Sequence, residues 1–257
     1  MSNLEASFSI LAQKGVMLYI LKGTVFTLII ALIAVVLGIV IGSVLALCRN
    51  YCTSKTTKIF GIIATVYIEV FRNTPLLLWI FICLVFCPCP ELFNRKLFGL
   101  TTVETKLLFK AAVALILFTS SVIAEIIRGG LNSIAHGQFE AGHAQGFNVV
   151  QVMIYIILPQ SIKIILPPMV NQIVNLIKNT SCLYIIGGAD LISLTYSFVT
   201  GENTGGAYAP AYLVSGLLFF IICYPLSKTA SAWEIHLKKR DQRVTFQKTE
   251  GQVTDNE

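Results

Sequence analysis

Charge is what this sequence has least of. Asp, Glu, Lys and Arg make up 12% of its 257 residues, apolar types make up 55%, and the mean hydropathy is +0.76. A soluble domain usually carries about 25% charged residues to coat its surface. The chain therefore reads as an all-α integral membrane protein. Motifs for hydrolytic chemistry are missing as well: there is no GxxxxGK[ST] loop for a nucleotide, no HExxH and no GxSxG. If ATP drives this protein, the ATPase is another chain. An enzyme would need a converging set of side chains, and His136, His143 and His236 have no metal or triad spacing. All three fall near the expected cytoplasmic side and read as solvated surface or interface residues. The seven cysteines, an odd number, cannot all pair within the chain. Cys48, Cys83, Cys182 and Cys223 lie in or beside apolar runs, where Cys acts as a small apolar residue. Cys83, Cys87 and Cys89 cluster in sequence, but no His or second Cys pair completes a zinc-like spacing. Neither a metal nor a cofactor is expected.

Long apolar runs are what the sequence has in plenty. A bilayer core about 30 Å thick takes roughly 20 helical residues. Five runs reach that length, over residues 18–47, 60–87, 107–130, 161–186 and 208–232. The first has no basic segment before it and no clear cleavage site after it, which separates it from a signal peptide. Basic residues in short loops orient the spans. Arg49, Lys55 and Lys58 lie between spans one and two without an acid, and Lys238, Lys239, Arg240 and Arg243 follow span five; both segments are expected in the cytoplasm. The loop with Glu91, Arg95, Lys96 and Glu104 and the loop with Asp190 and Glu202 are expected outside. This predicts an external N-terminal segment over 1–17, a membrane domain over 18–232 and a cytoplasmic tail over 233–257. The tail's end, 244–257, is polar and without period, as in disordered segments. Lys and Arg beside anionic lipid account for the net charge of +6 without any nucleic acid.

One polar stretch interrupts the apolar runs on the predicted cytoplasmic side: "GQFEAGHAQGFN", Gly137 to Asn148, inside a loop over about 131–160. Ala141, Ala144 and Gln145 favour a helix, Gly146 ends it, and Asn148 is placed to cap the next one. A soluble helical corner longer than a chain reversal requires suits a lever held by another protein. It equally suits an ordinary amphipathic surface helix.

The spacing Glu140, Ala141, Gly146, then Ile156, Leu158 and Pro159, resembles the signature E-A-A-x-x-x-G-x(9)-I-x-L-P of the membrane subunits of ATP-binding-cassette importers. Three further blocks resemble the polar amino acid uptake branch: "FRNTPLLLWIF" from Phe71, "AEIIRGGLNSIAHGQFEA" from Ala124, and "LPQSIKIILPPMVNQIVNLIKNTS" from Leu158. Departures are Gly142 for the second Ala, which loosens an interior helix by up to about 1 kcal/mol, with Asn73 for Gly, Ser161 for Ala and Asn179 for Asp. The resemblance implies a type I importer permease fold and a second membrane subunit, identical or related. It also implies two cytoplasmic ATP-binding subunits and an external binding protein that delivers an amino acid in a bacterial inner membrane. On this resemblance the polar stretch is the coupling helix, with Glu140 its polar anchor, Ala141 and Gly142 allowing close approach to the ATPase, and Gly146 permitting the turn. The alternative is a secondary transporter or channel with no ATPase partner.

A few polar groups remain inside the spans. A charge at the bilayer centre costs about 2.5–3.5 kcal/mol, so Glu69, Arg72 and Lys178 are not expected to face lipid. Glu69 and Arg72 are neighbours on one helix face, and counting along spans two and four places Arg72 and Lys178 in one layer. They read either as an ion-pair network locking the spans or as part of a substrate path, with Arg72 or Lys178 meeting a carboxylate and Glu69 holding Arg72 or meeting an amino group. Asn171, Asn175 and Lys178 share one face of span four, a polar stripe that a partner subunit must cover. Gly38 and Gly42 in span one allow close helix packing.

Overall fold

The structure is a computed structural model that describes residues 14–52, 54–96, 99–200 and 208–254. Glu202 and most of the N-terminal segment 1–17 lie outside the described residues. The described elements are helical: α1 (Lys14–Tyr51), α2 (Lys58–Arg72), α3 (Leu76–Phe86), α4 (Thr102–Asn132), α5 (His136–Ala144), α6 (Leu158–Asn179), α7 (Leu191–Val199) and α8 (Tyr208–Thr254). One-turn pieces lie at Glu91–Phe93 and Val149–Gln151, a π-helical stretch at Val152–Ile157, and a 3-10 stretch at Thr180–Ile186. Two compact units form, Met1–Arg128 with Gln172–Cys223, and Gly129–Asn171 with Tyr224–Glu257.

Four helical stretches are long and apolar enough to cross a membrane: Met17–Tyr51, Thr102–Asn132, Val149–Ile186 and Pro210–Leu237. The second expected span is broken. α2 and α3 meet at 109°, where the sequence suggested one run over 60–87. Pro75 causes the break, because it has no N–H to give and its ring excludes the carbonyl four residues back, that of Phe71. Side chains then fix the bend. The Thr74 hydroxyl donates to Val70 O at 2.7 Å, Trp79 Nε1 donates to Thr74 Oγ1 at 2.6 Å, and the Phe71 and Trp79 rings stack at 3.9 Å between centroids.

In the first unit, α1 and α4 approach closely through the two glycines singled out in sequence. A Cβ on Gly42 would stand 2.8 Å from Ser120 O, and one on Gly38 3.1 Å from Thr119 Cγ2. The main core joins Ile30, Ala34, Ile80, Leu115, Leu176 and Leu183, with Cys83 buried among them. Methyl and small side chains at this density supply the packing that helices in lipid need, since lipid tails offer no hydrophobic drive. α7 also packs against α1. Leu191 N donates to Thr27 Oγ1 at 3.1 Å, and a Cβ on Gly23 would stand 2.9 Å from Leu191 Cα. Asp190 caps α7, its fully buried carboxylate accepting from Ile192 N at 3.1 Å and Ser193 N at 3.0 Å. It lies between the spans, and burial pushes its carboxyl up to about 7.

α8 continues to Thr254, whereas the sequence led to the expectation of disorder from residue 244. No proline follows Pro225 to stop a helix already under way.

Candidate functional site

The polar stretch folds in the second unit as the residue types predict. α5 ends in a complete left-handed cap: Gly146 has φ +84°, its N–H donates to His143 O at 2.9 Å, and Phe147 N donates to Gly142 O at 3.2 Å. These bonds satisfy the carbonyls a helix end leaves open. Asn148 then starts the next helix with a reciprocal box. Its Oδ1 accepts from Gln151 N and its own N–H donates to Gln151 Oε1, both at 2.9 Å. Back-to-back stop and start signals set the corner.

The face that α5 turns outward is polar. Glu140 and His136 are 73% and 86% exposed and meet at 3.2 Å, one helical turn apart. Ala141 is exposed as well. Gly142 is not: it is buried, and a Cβ there would stand 2.8 Å from Val152 Cγ2 and 2.9 Å from Ile156 Cδ1. The expectation that Gly142 opens the helix to a partner is therefore corrected. It lies on the face of α5 opposite the exposed one, and it lets the π-helical stretch of this same chain close against α5. Pro159 accounts for that stretch, since without an N–H it cannot bond to Tyr155 O and the ladder widens ahead of it; Leu158 N instead donates to Met153 O. Gly130 plays a similar part, with Ile165 packed where a Cβ would be.

In the first unit, five charged side chains converge. Arg49 Nη2 donates to Glu69 Oε1 at 2.7 Å and Arg49 Nη1 to Glu125 Oε2 at 3.2 Å. Arg72 Nη1 lies 3.4 Å from the same Glu125 Oε2, and Arg128 Nε donates to it at 2.9 Å. Asn73, where the related signature has Gly, donates from Nδ2 to Glu69 Oε2 at 3.1 Å. Glu125 thus gathers three arginines from α1, α2 and α4. This corrects the expected pairing in two ways. Glu69 holds Arg49, not Arg72, and Lys178 forms no ion pair among the described residues. Of the three residues that sequence reading did not place here, Arg49 lies in the last turn of α1, which extends past the apolar run. Glu125 and Arg128 are three apart inside the predicted third span, a spacing that marks a helix-surface ion pair. Asn171, Asn175 and Lys178 are all exposed on α6, as a stripe awaiting a cover would be.

Residues 38–227 match the description of the binding-protein-dependent transport system inner membrane component. The chain belongs to this family. It is 37% identical over 179 residues, 69% of its length and 76% of the relative's, to the probable glutamine ABC transporter permease protein GlnM of Bacillus subtilis. It is 32% identical over 223 residues, 87% of its length and 94% of the relative's, to the arginine transport system permease protein ArtQ of the same organism. The crystal structure of an amino acid ABC transporter with histidines superposes with a TM-score of 0.71 at 28% identity, covering 88% of this chain and 98% of that one. The fold is that of type I importer permeases. Membership of a binding-protein-dependent transport family displaces the alternative of a secondary transporter or channel.

Proposed function

We propose that this chain is the membrane-spanning permease subunit of an ATP-driven importer of polar amino acids in a bacterial cytoplasmic membrane, with its N-terminus outside and C-terminus inside. ATP hydrolysis belongs to separate cytoplasmic subunits, and an external binding protein delivers the amino acid. The observation that carries the proposal is the corner at Gly146. An exposed nine-residue helix ends in a left-handed cap at Gly146, and a capping box at Asn148 starts the next helix two residues on, at the importer signature spacing. Such a corner sets the direction in which the helix passes on a push. In this reading Glu140 and Ala141 meet the ATPase, Gly142 fastens α5 to its own chain, and Gly146 sets the angle.

The charge cluster favours the network role for Glu69 and Arg72, because each already has a partner on another helix. The exposed stripe Asn171, Asn175 and Lys178 is then the better candidate for the translocation path, Lys178 meeting the carboxylate of the passing amino acid. An ammonium left facing lipid is costly, so a second membrane subunit or an aqueous path must cover it.

The test uses cysteine placed at Glu140 in the full complex. Disulfide trapping to a cysteine in the ATPase groove is expected, with release of trapped complex on reduction. A Glu140→Cys chain that inserts, binds its ATPase and never traps would exclude this placement of α5.

A further inference from the structure

A cavity of about 360 Å³ lies between α1 and α4 in the first unit. Ile29, Ile33 and Leu37 line it from α1, Ala112 lines it from α4, and Phe93, stacked on Phe109 at 4.5 Å, roofs it. Thr105 is the one polar side chain in the lining, and its hydroxyl is spent on Thr101 O at 2.9 Å. A polar solute entering here would lose its hydrogen bonds to water and gain none. A lining of this kind suits hydrocarbon. Its length is set by α4, whose lining stretch from Thr105 to Ile116 rises ~16 Å, close to half of the roughly 30 Å bilayer core. The slot therefore matches the depth of a single leaflet.

Charge stands at one end of it. Lys22 Nζ lies 5.8 Å from the ring of Phe26, a lining residue, and donates to Gly99 O at 3.0 Å, beside Leu100, another lining residue. An ammonium has three donors, which leaves two for a phosphate at the mouth. Arg95 and Lys96 are exposed in the segment that carries Phe93. We propose that this slot binds one acyl chain of an anionic phospholipid, with its phosphate against Lys22. The site is separate from the charge cluster and from the corner at Gly146, and the proposal stands without any assignment of the transported solute.

The test places the full complex in vesicles containing phosphatidylglycerol or phosphatidylcholine that carry a photoactivatable diazirine on one acyl chain, and maps the labelled peptides. Labelling is expected to concentrate on Ile29, Ile33 and Leu37 of α1 and on the lining residues of α4 between 105 and 116, with phosphatidylglycerol preferred about fivefold, as one lysine near an anionic headgroup would give. Ile33→Trp, which fills the slot, is expected to abolish that labelling, whereas Leu32→Trp, on the exposed lipid face, leaves it intact. Lys22→Gln is expected to remove the headgroup preference. Equal labelling by the two lipids, labelling that Ile33→Trp leaves unchanged, or labelling weaker in the slot than at Leu32 because a second protein copy covers it, would each overturn the proposal.

Discussion

At the scale of single residues, Glu125 is the group on which most depends. It is bonded to Arg128 and shared by Arg49 and Arg72, so its loss leaves three cations sharing Glu69 alone. Glu125→Gln is expected to destabilise the assembled complex by roughly 1–3 kcal/mol, read as a lower midpoint in thermal unfolding of the detergent-solubilised complex, while Glu140→Gln on the exposed helix leaves the midpoint in place. An unchanged midpoint for Glu125→Gln would mean that the cluster contributes no stability. Asp190 gives a second residue-level expectation. Its folded carboxyl titrates at about 7 and its unfolded one near 3.9. Between those values the folded chain holds a proton that the unfolded chain has released, so stability falls as pH rises through this window and levels off above it. Thermal midpoints measured at pH 5 and pH 8 should therefore differ in favour of pH 5, and the difference should shrink in Asp190→Asn, which keeps a capping oxygen. A midpoint that rises with pH in the native chain and not in the variant would reverse the sign of this account.

At the scale of elements, what the sequence made legible was whatever is local. The stop at Gly146 and the start at Asn148 follow from one residue type each, and both are where they were expected. The spans are legible from hydropathy because lipid imposes a length. The bend between α2 and α3 was legible only in part: Pro75 announces a lost hydrogen bond, but the Phe71–Trp79 stack and the Thr74 bonds that set 109° depend on contacts across the break. Partners in the charge cluster were not legible, since Arg49, Glu69 and Glu125 are brought together only by packing of three helices. Gly142 shows the same limit. Its signature counterpart is Ala, and the sequence suggested a looser helix and close approach by the ATPase, whereas its surroundings show that a methyl group would press on Val152 and Ile156. Gly142→Ala is accordingly expected to gain up to about 1 kcal/mol in helix propensity and to lose about 1–3 kcal/mol to overpacking, a net loss that Val152→Ala restores. Resistance of the loop to limited proteolysis measures this. Greater resistance in Gly142→Ala alone would show that the contact relaxes without cost.

At the scale of the whole molecule, the two units carry different burdens. The first joins three helices through a half-buried ion cluster and packs small residues between them, and the second presents a capped polar corner. A membrane chain with no nucleotide motif, a family assignment to binding-protein-dependent transport and an exposed helix capped at the turn that leads back to the next helix fit a part that converts work done on one side of a bilayer into solute movement across it. The most direct measurement is uptake of radiolabelled glutamine, arginine or histidine into proteoliposomes holding the full complex, with binding protein outside and ATP inside. The account predicts uptake of at least one of these amino acids that needs both ATP and binding protein, and that Glu140→Lys abolishes without loss of assembled subunits. Uptake that proceeds at the same rate without ATP, or that Glu140→Lys leaves unchanged, would contradict it.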